Sequence, residues 1–200
     1  MSHKLTRGHL VAHVRAVIEL VAETPRLECW GERLGAELLA GRRLLVAGNG
    51  GSAAQAQHLT GELVGRYRVE RQALSAIPLL ADAASLTAVA NDYGWADVFA
   101  RQVRAHGRAG DMLLLLSTSG ESANLLEAAC SARSLGLRVW ALTGPAPNSL
   151  ASAADDAIAV SGSTAVVQEA HLVAIHLLCA AVDSAVLGTA SDPQREGAAG

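Results

Sequence analysis

Short apolar runs, each closed by small polar residues, alternate with longer helix-like segments through most of the chain. Three clear runs lie at 43–47, 112–116 and 138–142, and two weaker ones lie at 74–78 and 157–160. Segments long enough for helices separate them, at 53–65, 95–106, 121–135 and 166–187. Continuous apolar runs are typical of parallel strands that are buried on both faces. The alternation therefore predicts an α/β domain in which helices cover both faces of a parallel sheet.

The first forty residues are predicted to be helical and to lie outside this core. Leu10, Val14, Ile18 and Val21 recur at helical spacing, and a break between two helices is expected around Pro25. One small domain cannot bury every apolar face of such an extension, so we predict helix-to-helix association between subunits. The alternative is that both helices pack only on their own sheet.

These patterns also predict the domain organisation. Residues 1–40 form the helical extension, and residues 41–187 form one α/β domain without an internal repeat or linker. The remaining residues, 188–200, are small and polar and are predicted to be disordered.

Composition narrows the class of protein. Of the 200 residues, 50% are hydrophobic and 18% are charged, which excludes intrinsic disorder. The formal net charge of −3 predicts neither a nucleic-acid partner nor an acidic membrane surface. The longest apolar segment, 171–187, contains two histidines and Asp183 and is short for a membrane span. Since the N-terminus also lacks a signal-peptide pattern, we expect a soluble, cytoplasmic protein. Its reduced cysteines should be mostly buried: Cys29, Cys130 and Cys179.

A glycine-rich loop follows the first predicted strand. Its sequence, Gly-Asn-Gly-Gly-Ser at 48–52, stands directly before a helix. Glycines allow positive φ and a close backbone approach, and a helix start offers unpaired N–H groups to an anion. The alternative is an ordinary tight turn in which Ser52 caps the helix.

A second polar loop follows the run at 112–116 and also opens a helix. Its sequence at 117–122 is Ser-Thr-Ser-Gly-Glu-Ser, with four hydroxyls within six residues. A helix cap uses one hydroxyl, so the others are available to a phosphate group. Because loops that follow parallel strands meet at one edge of the sheet, the two loops together indicate phosphate recognition.

The string at 48–53 also fits the G-x-G-x-x-[GA] fingerprint of dinucleotide-binding folds. That fingerprint needs an acidic residue at the end of the second strand, about twenty residues further on. The chain offers only Asp82, which lies beyond Pro78. A nicotinamide-dependent dehydrogenase is therefore the weaker alternative.

Two predicted helices carry residues that are suited to proton transfer or metal binding. His58 and Glu62 are neighbours on one helical face, and in the last helix His176 shares a row with Gln168. All four are candidate ligands for a divalent metal, and Glu62 and His176 are equally candidates for a general acid/base pair. The structural alternatives are a solvated helix face and a core histidine with a satisfied hydrogen bond.

Taken together, these motifs resemble the sedoheptulose 7-phosphate isomerases, or phosphoheptose isomerases, of the sugar-isomerase (SIS) domain superfamily. The resemblance runs from about residue 8 to residue 187 and rests on five motifs in compatible order, at 48–52, 57–63, 90–92, 117–122 and 168–176. It implies a flavodoxin-like three-layer α/β/α sandwich. It also implies isomerisation of sedoheptulose 7-phosphate to D-glycero-D-manno-heptose 7-phosphate through an enediol. The assembly that it implies is a homotetramer with active sites at subunit interfaces.

The same resemblance assigns roles to individual residues. It implies that Glu62 and His176 are the catalytic acid/base pair. Where metal is present, it implies one zinc ion per subunit, held by His58, Glu62, Gln168 and His176. It further implies that the sugar phosphate is bound by twelve residues: Asn49, Gly50, Gly51, Ser52, Glu62, Asn91, Asp92, Ser117, Thr118, Ser119, Ser122 and Gln168.

The chain departs from the family pattern at two places. Glu121 stands where asparagine is usual and adds a negative charge beside the second loop, which repels a phosphate unless the side chain points to solvent. Residues 165–167, Ala-Val-Val, replace a polar segment, so any sugar contact or proton role of its acidic residue is absent. The main alternative is a non-catalytic adaptor or regulator, since some SIS relatives are adaptors of the bacterial replication initiator. Those relatives lack the Glu and His pair, which this chain keeps.

Overall fold

The computed structural model describes residues 2–190. Within that range five strands form one sheet: β1 Leu44–Gly48, β2 Ala76–Pro78, β3 Met112–Ser117, β4 Arg138–Thr143 and β5 Asp156–Ala159. Seven helices surround it: α1 Ser2–Leu39, α2 Gly51–Val64, α3 Ala83–Tyr93, α4 Asp97–His106, α5 Ala123–Ser134, α6 Ser149–Ala153 and α7 Thr164–Ala190. The sequence pattern predicts all five strands to within two residues but does not predict α3 or α6.

All strands are parallel and lie in the order β2-β1-β3-β4-β5. Their side chains alternate between two cores, as the pleat of a strand requires. Leu44 and Val46 enter the core formed with α1, α2 and α7, whereas Leu45 and Ala47 enter the core formed with α4, α5 and α6. Helices therefore cover both faces of the sheet, and the predicted flavodoxin-like sandwich is confirmed.

The strand order determines where a ligand can bind. β1 and β3 are neighbours, and Gly48 at the end of β1 pairs with Leu116 near the end of β3. The chain leaves β1 toward one side of the sheet and returns to β3 on the other, which makes this the topological switch point. The two polar loops predicted to bind phosphate therefore lie side by side at the carboxyl edge of the sheet.

The N-terminal extension is one helix of 38 residues with Pro25 inside it, so the expected break between two helices is wrong. A proline in a helix interior costs about 3 kcal/mol, because it removes a backbone donor and clashes with the preceding turn. Packing on both sides of the proline outweighs that cost. Leu20 and Leu27 are buried, and Trp30 stacks on Trp140 of β4 with ring centroids 4.5 Å apart.

One face of α1 packs along α7, and the opposite face is exposed. A Cβ atom at Gly31 would lie 2.2 Å from the Cβ of Ala181, so the two helices approach closely there. On the outer face four apolar side chains are each 55 to 68% exposed: Leu10, Val14, Ile18 and Val21. Packing of this outer face against a second subunit stays a prediction.

α7 is a core helix. Its segment Thr164–Gly188 is long and apolar enough to span a membrane, but half of that segment is buried inside the protein. The buried side chains pack between α1 and the sheet, which explains the high apolar content. The helix ends at Ala190, three residues beyond the predicted end at Leu187. Residues 191–200, in the tail predicted to be disordered, lie outside the described range.

The three cysteines are free thiols, but they are not mostly buried as expected. Cys29 and Cys130 are exposed, because they lie on the outer faces of α1 and α5. Cys179 on α7 is buried, and burial, followed by the charge of Glu62, raises the pKa of its thiol to about 12. Cys179 is therefore an uncharged core residue.

Candidate active site

Gly50 and Gly51 shape the glycine loop, the first through its backbone conformation and the second through a close approach. Gly50 has φ +55° and ψ −122°, a backbone conformation that favours glycine. A Cβ at Gly51 would lie 2.5 Å from Nε2 of Gln168, so glycine allows α7 to bring this amide against the start of α2. Ser52 is not the helix cap. The cap position is Gly50, and Ser52 is buried in the first turn.

The hydroxyl loop after β3 gathers its side chains around Ser117. The Ser117 Oγ accepts a hydrogen bond from the Gly120 N–H at 3.0 Å and lies 3.4 Å from the Oγ atoms of both Ser119 and Ser122. The backbone of Thr118 packs closely against Gly144. A Cβ atom at Gly144 would lie 1.9 Å from the Thr118 carbonyl oxygen, so only glycine allows this approach. Three hydroxyls therefore converge at the end of β3.

The helices behind these two loops begin without a side-chain cap, as α4 also does, whereas α3 and α6 are capped. Asp82 caps α3, and Asn148 caps α6, each by accepting backbone N–H bonds with its side chain. Neither Gly50 at the start of α2 nor Ser122 at the start of α5 makes such a side-chain bond. The first turns of α2 and α5 therefore keep their positive ends available to an anion. Asp82 lies four residues beyond the end of β2, so it does not stand at the strand end where the dinucleotide fingerprint needs an acidic residue.

Asn49 and Asn124 join the two loops through their side-chain amides. Asn124 lies near the start of α5 and is 2% exposed. Asn49 is predicted from the sequence to be a substrate ligand, whereas Asn124 is not. The one feature of the sequence that could have identified Asn124 is that the helix periodicity places this polar residue on the buried face of α5.

Glu121, the acidic departure in the second loop, is engaged at the start of α6. Its two carboxylate oxygens accept hydrogen bonds from the Ser149 N–H at 2.8 Å and from the Ser149 hydroxyl at 2.6 Å. The bond from the Ser149 hydroxyl has the larger effect and the bond from the N–H the smaller. Together they hold the pKa of the Glu121 carboxyl below its ordinary value. The expected repulsion of a phosphate is thus reduced, since the charge is directed at a helix start.

The candidate acid/base residues converge between α2 and α7 within one chain. The Nε2 atoms of His58 and His176 lie 2.9 Å apart, and the His58 Nε2 lies 3.5 Å from the Glu62 Oε1. The ring of Tyr67 stacks on His176, with centroids 5.7 Å apart and planes 24° apart. His58 thus bridges the two residues, and Tyr67 orients the second imidazole.

Gln168 contacts α2 near its start, on the glycine-loop side of the cluster. Its backbone carbonyl accepts a hydrogen bond from the Gln55 side chain on α2. Its own amide lies against Gly51, as described above. Of the candidate ligands, Gln168 is the one that contacts the first phosphate loop from α7.

The donor set is of the kind that zinc takes, namely two imidazoles, a carboxylate and a nearby amide. In the described residues, no three histidines, cysteines, aspartates or glutamates are already spaced as a metal site. Two nitrogen ligands of a tetrahedral zinc lie roughly 3.3 Å apart, so His58 and His176 need to separate by a few tenths of an ångström from 2.9 Å. The residues therefore fit zinc in their chemistry after a small adjustment.

Asn91 and Asp92 are not joined to the rest of the site. They lie near the end of α3, are exposed, and are linked by a hydrogen bond of 2.8 Å from the Asn91 amide to the Asp92 carboxylate. Across residues 2–190 no hydrogen bond connects either of them to the two loops or to the α2–α7 cluster. Their role as substrate ligands stays a prediction.

The chain matches the family model described as the SIS domain over residues 10–144. It is 66% identical to the phosphoheptose isomerase of Streptomyces coelicolor over 158 residues, which covers 78% of this chain and 68% of that protein. It is 45% identical to the phosphoheptose isomerase of Thiobacillus denitrificans, over 93% of this chain and 97% of that protein.

A solved structure supports the same relationship. The phosphoheptose isomerase from Francisella tularensis superposes with a TM-score of 0.85 at 35% identity. The superposition covers 92% of this chain and 99% of that one. The likeness therefore extends to the long N-terminal and C-terminal helices as well as to the sheet.

Proposed function

The chain belongs to the phosphoheptose isomerases of the SIS-domain family, and from that premise we propose how its own residues carry out the reaction. The enzyme converts sedoheptulose 7-phosphate to D-glycero-D-manno-heptose 7-phosphate. One observation carries the proposed mechanism. His58 lies 2.9 Å from His176 and 3.5 Å from Glu62, between α2 and α7, the two helices that also meet at the glycine loop through Gly51 and Gln168.

The phosphate of the sugar is bound between the two loops. The N–H groups at the starts of α2 and α5 and the hydroxyls of Ser117, Ser119 and Ser122 surround a space that suits a dianion. Gln168 borders this space from α7. With the phosphate fixed here, the open-chain end of the sugar extends toward Glu62 and His176.

Glu62 and His176 divide the proton transfers. One removes a proton from C1 of the ketose, which gives a cis-enediol, and C2 is then reprotonated as C1 becomes the aldehyde. The other moves the proton between the two oxygens, so that atoms and charge balance. Each positioned transfer contributes on the order of 10²–10⁴ in rate. His58, in contact with both, keeps them aligned.

We propose that His58, Glu62, Gln168 and His176 hold one zinc ion per subunit. When bound, the metal polarises the carbonyl oxygen and stabilises the charge that develops on it. The proposal is supported by the donor types, because carboxylate and imidazole are common zinc ligands.

We also propose a cytoplasmic homotetramer in which the exposed face of α1 packs against a neighbouring subunit. Support comes from the four apolar side chains of that face, which no other part of the described chain covers. Contiguous exposed apolar patches mark interaction sites. Active sites at the subunit interfaces are part of this proposal.

The alternative of a non-catalytic adaptor has less support. An adaptor needs no acid/base pair, whereas this chain keeps Glu62 and His176 and holds both against His58. A shared SIS fold alone does not distinguish a catalyst from a binding protein.

The direct test is to incubate the purified full chain with sedoheptulose 7-phosphate and to follow the aldose product by NMR. Parallel samples are treated with a chelator and then supplied with zinc. We expect product in the untreated sample, loss of turnover after chelation and recovery with zinc. Turnover that chelation leaves unchanged contradicts the zinc proposal. Absence of product with zinc present contradicts the mechanism and favours the adaptor.

A further inference from the structure

A buried arginine occupies the carboxyl end of α2. The side chain of Arg71 is 1% exposed, and its guanidinium donates to four backbone carbonyls. The acceptors are Glu62 at 2.7 Å, Leu63 and Gln72 at 2.9 Å each, and Gly65 at 3.2 Å. Two of these carbonyls, of Glu62 and Leu63, belong to the last turn of α2, where helix carbonyls lack intrahelical donors, although the Leu63 carbonyl also accepts the Leu74 N–H.

A further N–H of the Arg71 side chain reaches α7. Its Nε donates to the Asp183 Oδ1 at 2.9 Å, and the Asp183 side chain is 7% exposed. The other Asp183 oxygen accepts the Arg68 N–H at 3.3 Å. One ion pair thus ties both the end of α2 and the loop that follows it to α7.

The two helices joined in this way carry the two proposed catalytic groups. Arg71 binds the carbonyl of Glu62 itself. Asp183 lies seven residues beyond His176, which is two helical turns along the same face of α7. The same loop also carries Tyr67, whose ring stacks on His176. We call the Arg71–Asp183 ion pair the clamp. A shift of the clamp therefore moves Glu62 relative to His176.

We propose that Arg71 and Asp183 are positioning residues that set the separation of Glu62 and His176, an inference that rests on the proposed function. Stability alone does not explain the pair, because apolar side chains of similar volume often stabilise a core as well as a buried ion pair does. What apolar residues cannot supply is a set of directed hydrogen bonds from one planar group to the end of α2, to the loop that follows it and to Asp183. Misplacing a catalytic group by about 1 Å can cost on the order of 10² in rate.

The test compares Arg71→Lys and Asp183→Asn with the wild-type enzyme. Lysine keeps the charge but lacks the planar fork, and asparagine keeps the shape but lacks the charge. We expect kcat, expressed per folded molecule, to fall roughly tenfold to a hundredfold. KM should stay within about twofold, because the phosphate loops at the opposite end of α2 are untouched.

Asp111→Asn is the matched control. Asp111 is equally buried, pairs with Arg43 at 2.8 Å and accepts the N–H groups of Arg43 and Arg108. It lies at the amino end of β3, and none of these bonds reaches Arg71, Asp183, Glu62 or His176. Its replacement should lower stability and leave kcat per folded molecule unchanged.

The outcomes separate the two proposals. If the clamp variants and Asp111→Asn all lose activity only in proportion to unfolded protein, the pair is merely structural and the inference is overturned. If the wild-type enzyme itself gives no product, the proposed function fails instead. Arg71→Lys retains the cation that Asp183 needs, so it provides a folded variant even where Asp183→Asn does not.

Discussion

Asn49 and Asn124 exchange two hydrogen bonds of 2.9 Å, each amide donating to the carbonyl oxygen of the other. Asn49 lies in the glycine loop, and Asn124 lies 75 residues away near the start of α5. The pair makes the two phosphate loops one unit. A shift of either loop breaks both bonds, and both are made with the almost completely buried side chain of Asn124.

Replacing Asn124 by alanine should therefore weaken substrate binding more than turnover. A buried partner left unsatisfied costs about 1–3 kcal/mol, which corresponds to a KM increase of roughly fivefold to 150-fold. Asn124→Asp should raise KM further, since it adds a negative charge beside the phosphate. Steady-state kinetics with sedoheptulose 7-phosphate measures both. A KM that neither substitution changes would show that the two loops bind phosphate independently.

Glu62→Gln should abolish turnover and spare binding, because glutamine keeps the size and polarity of the side chain but cannot accept a proton. The loss should be on the order of 10²–10⁴ in kcat. Calorimetry with the sugar phosphate should give an affinity close to that of the wild-type enzyme. Glu70→Gln, at an exposed position of the loop after α2, makes the same chemical change and should have no effect. Normal turnover in Glu62→Gln removes this residue from the mechanism.

The sheet and the loops could be predicted from the sequence because their signals are local. The apolar run at 112–116 and the hydroxyls that follow it are adjacent in the chain. The parallel topology then brings these hydroxyls beside the glycine loop at the carboxyl edge of the sheet. The acid/base cluster was predictable in composition, since Glu62 and His176 lie on helical faces beside His58.

Other features depended on partners that are distant in the sequence. Pro25 indicates a helix break, and the packing that keeps α1 continuous comes from strands and helices more than a hundred residues away. Arg71 and Asp183 are 112 residues apart, and no spacing rule connects them. Asn124 has the appearance of an ordinary helix residue until Asn49 is placed opposite it.

Glu121→Ala should leave KM for the sugar phosphate unchanged and slightly lower the thermal stability. The carboxylate supports the first residue of α6, and its removal leaves the Ser149 N–H without that acceptor. Because the folded pKa of Glu121 lies below its ordinary value of 4.5, its contribution to stability is present above that pH and is lost as pH falls. Thermal melts at pH 7 and pH 4 measure this effect. A marked fall in KM would show that the charge acts on the phosphate after all.

His171 should make the protein less stable in mild acid. It is fully buried with Nε2 3.1 Å from the Thr143 carbonyl, and burial lowers its pKa from 6.5 to about 4, although the hydrogen bond to Thr143 opposes the shift. Above pH 6.5 the His171 imidazole is neutral in both the folded and the unfolded state. Between pH 6.5 and pH 4 it binds a proton only in the unfolded state. Stability therefore falls with pH across that window, by about 2 kcal/mol at pH 5.

Urea unfolding at pH 7 and pH 5 checks this, with His171→Gln as the variant. Glutamine can still donate to Thr143 but does not titrate, so the difference in unfolding free energy between the two pH values should shrink by about that amount. His106→Gln, on the exposed end of α4, is the matched control and should keep the wild-type difference. An equal pH dependence in His171→Gln and wild type would assign the effect to other groups.

Ile18→Glu should break the assembly of subunits. Ile18 is 62% exposed, and Val14 and Val21 continue the same stripe at spacings of four and three residues, which suits a helix–helix seam. A glutamate there places a charge in an apolar contact, and the cost is severe unless a partner neutralises it. Light scattering coupled to size exclusion should show a tetramer for wild type and a smaller species for Ile18→Glu. Ala105→Glu on exposed α4 should leave the tetramer intact. A wild-type monomer, or an unchanged mass for Ile18→Glu, contradicts the assignment of this face to a subunit interface.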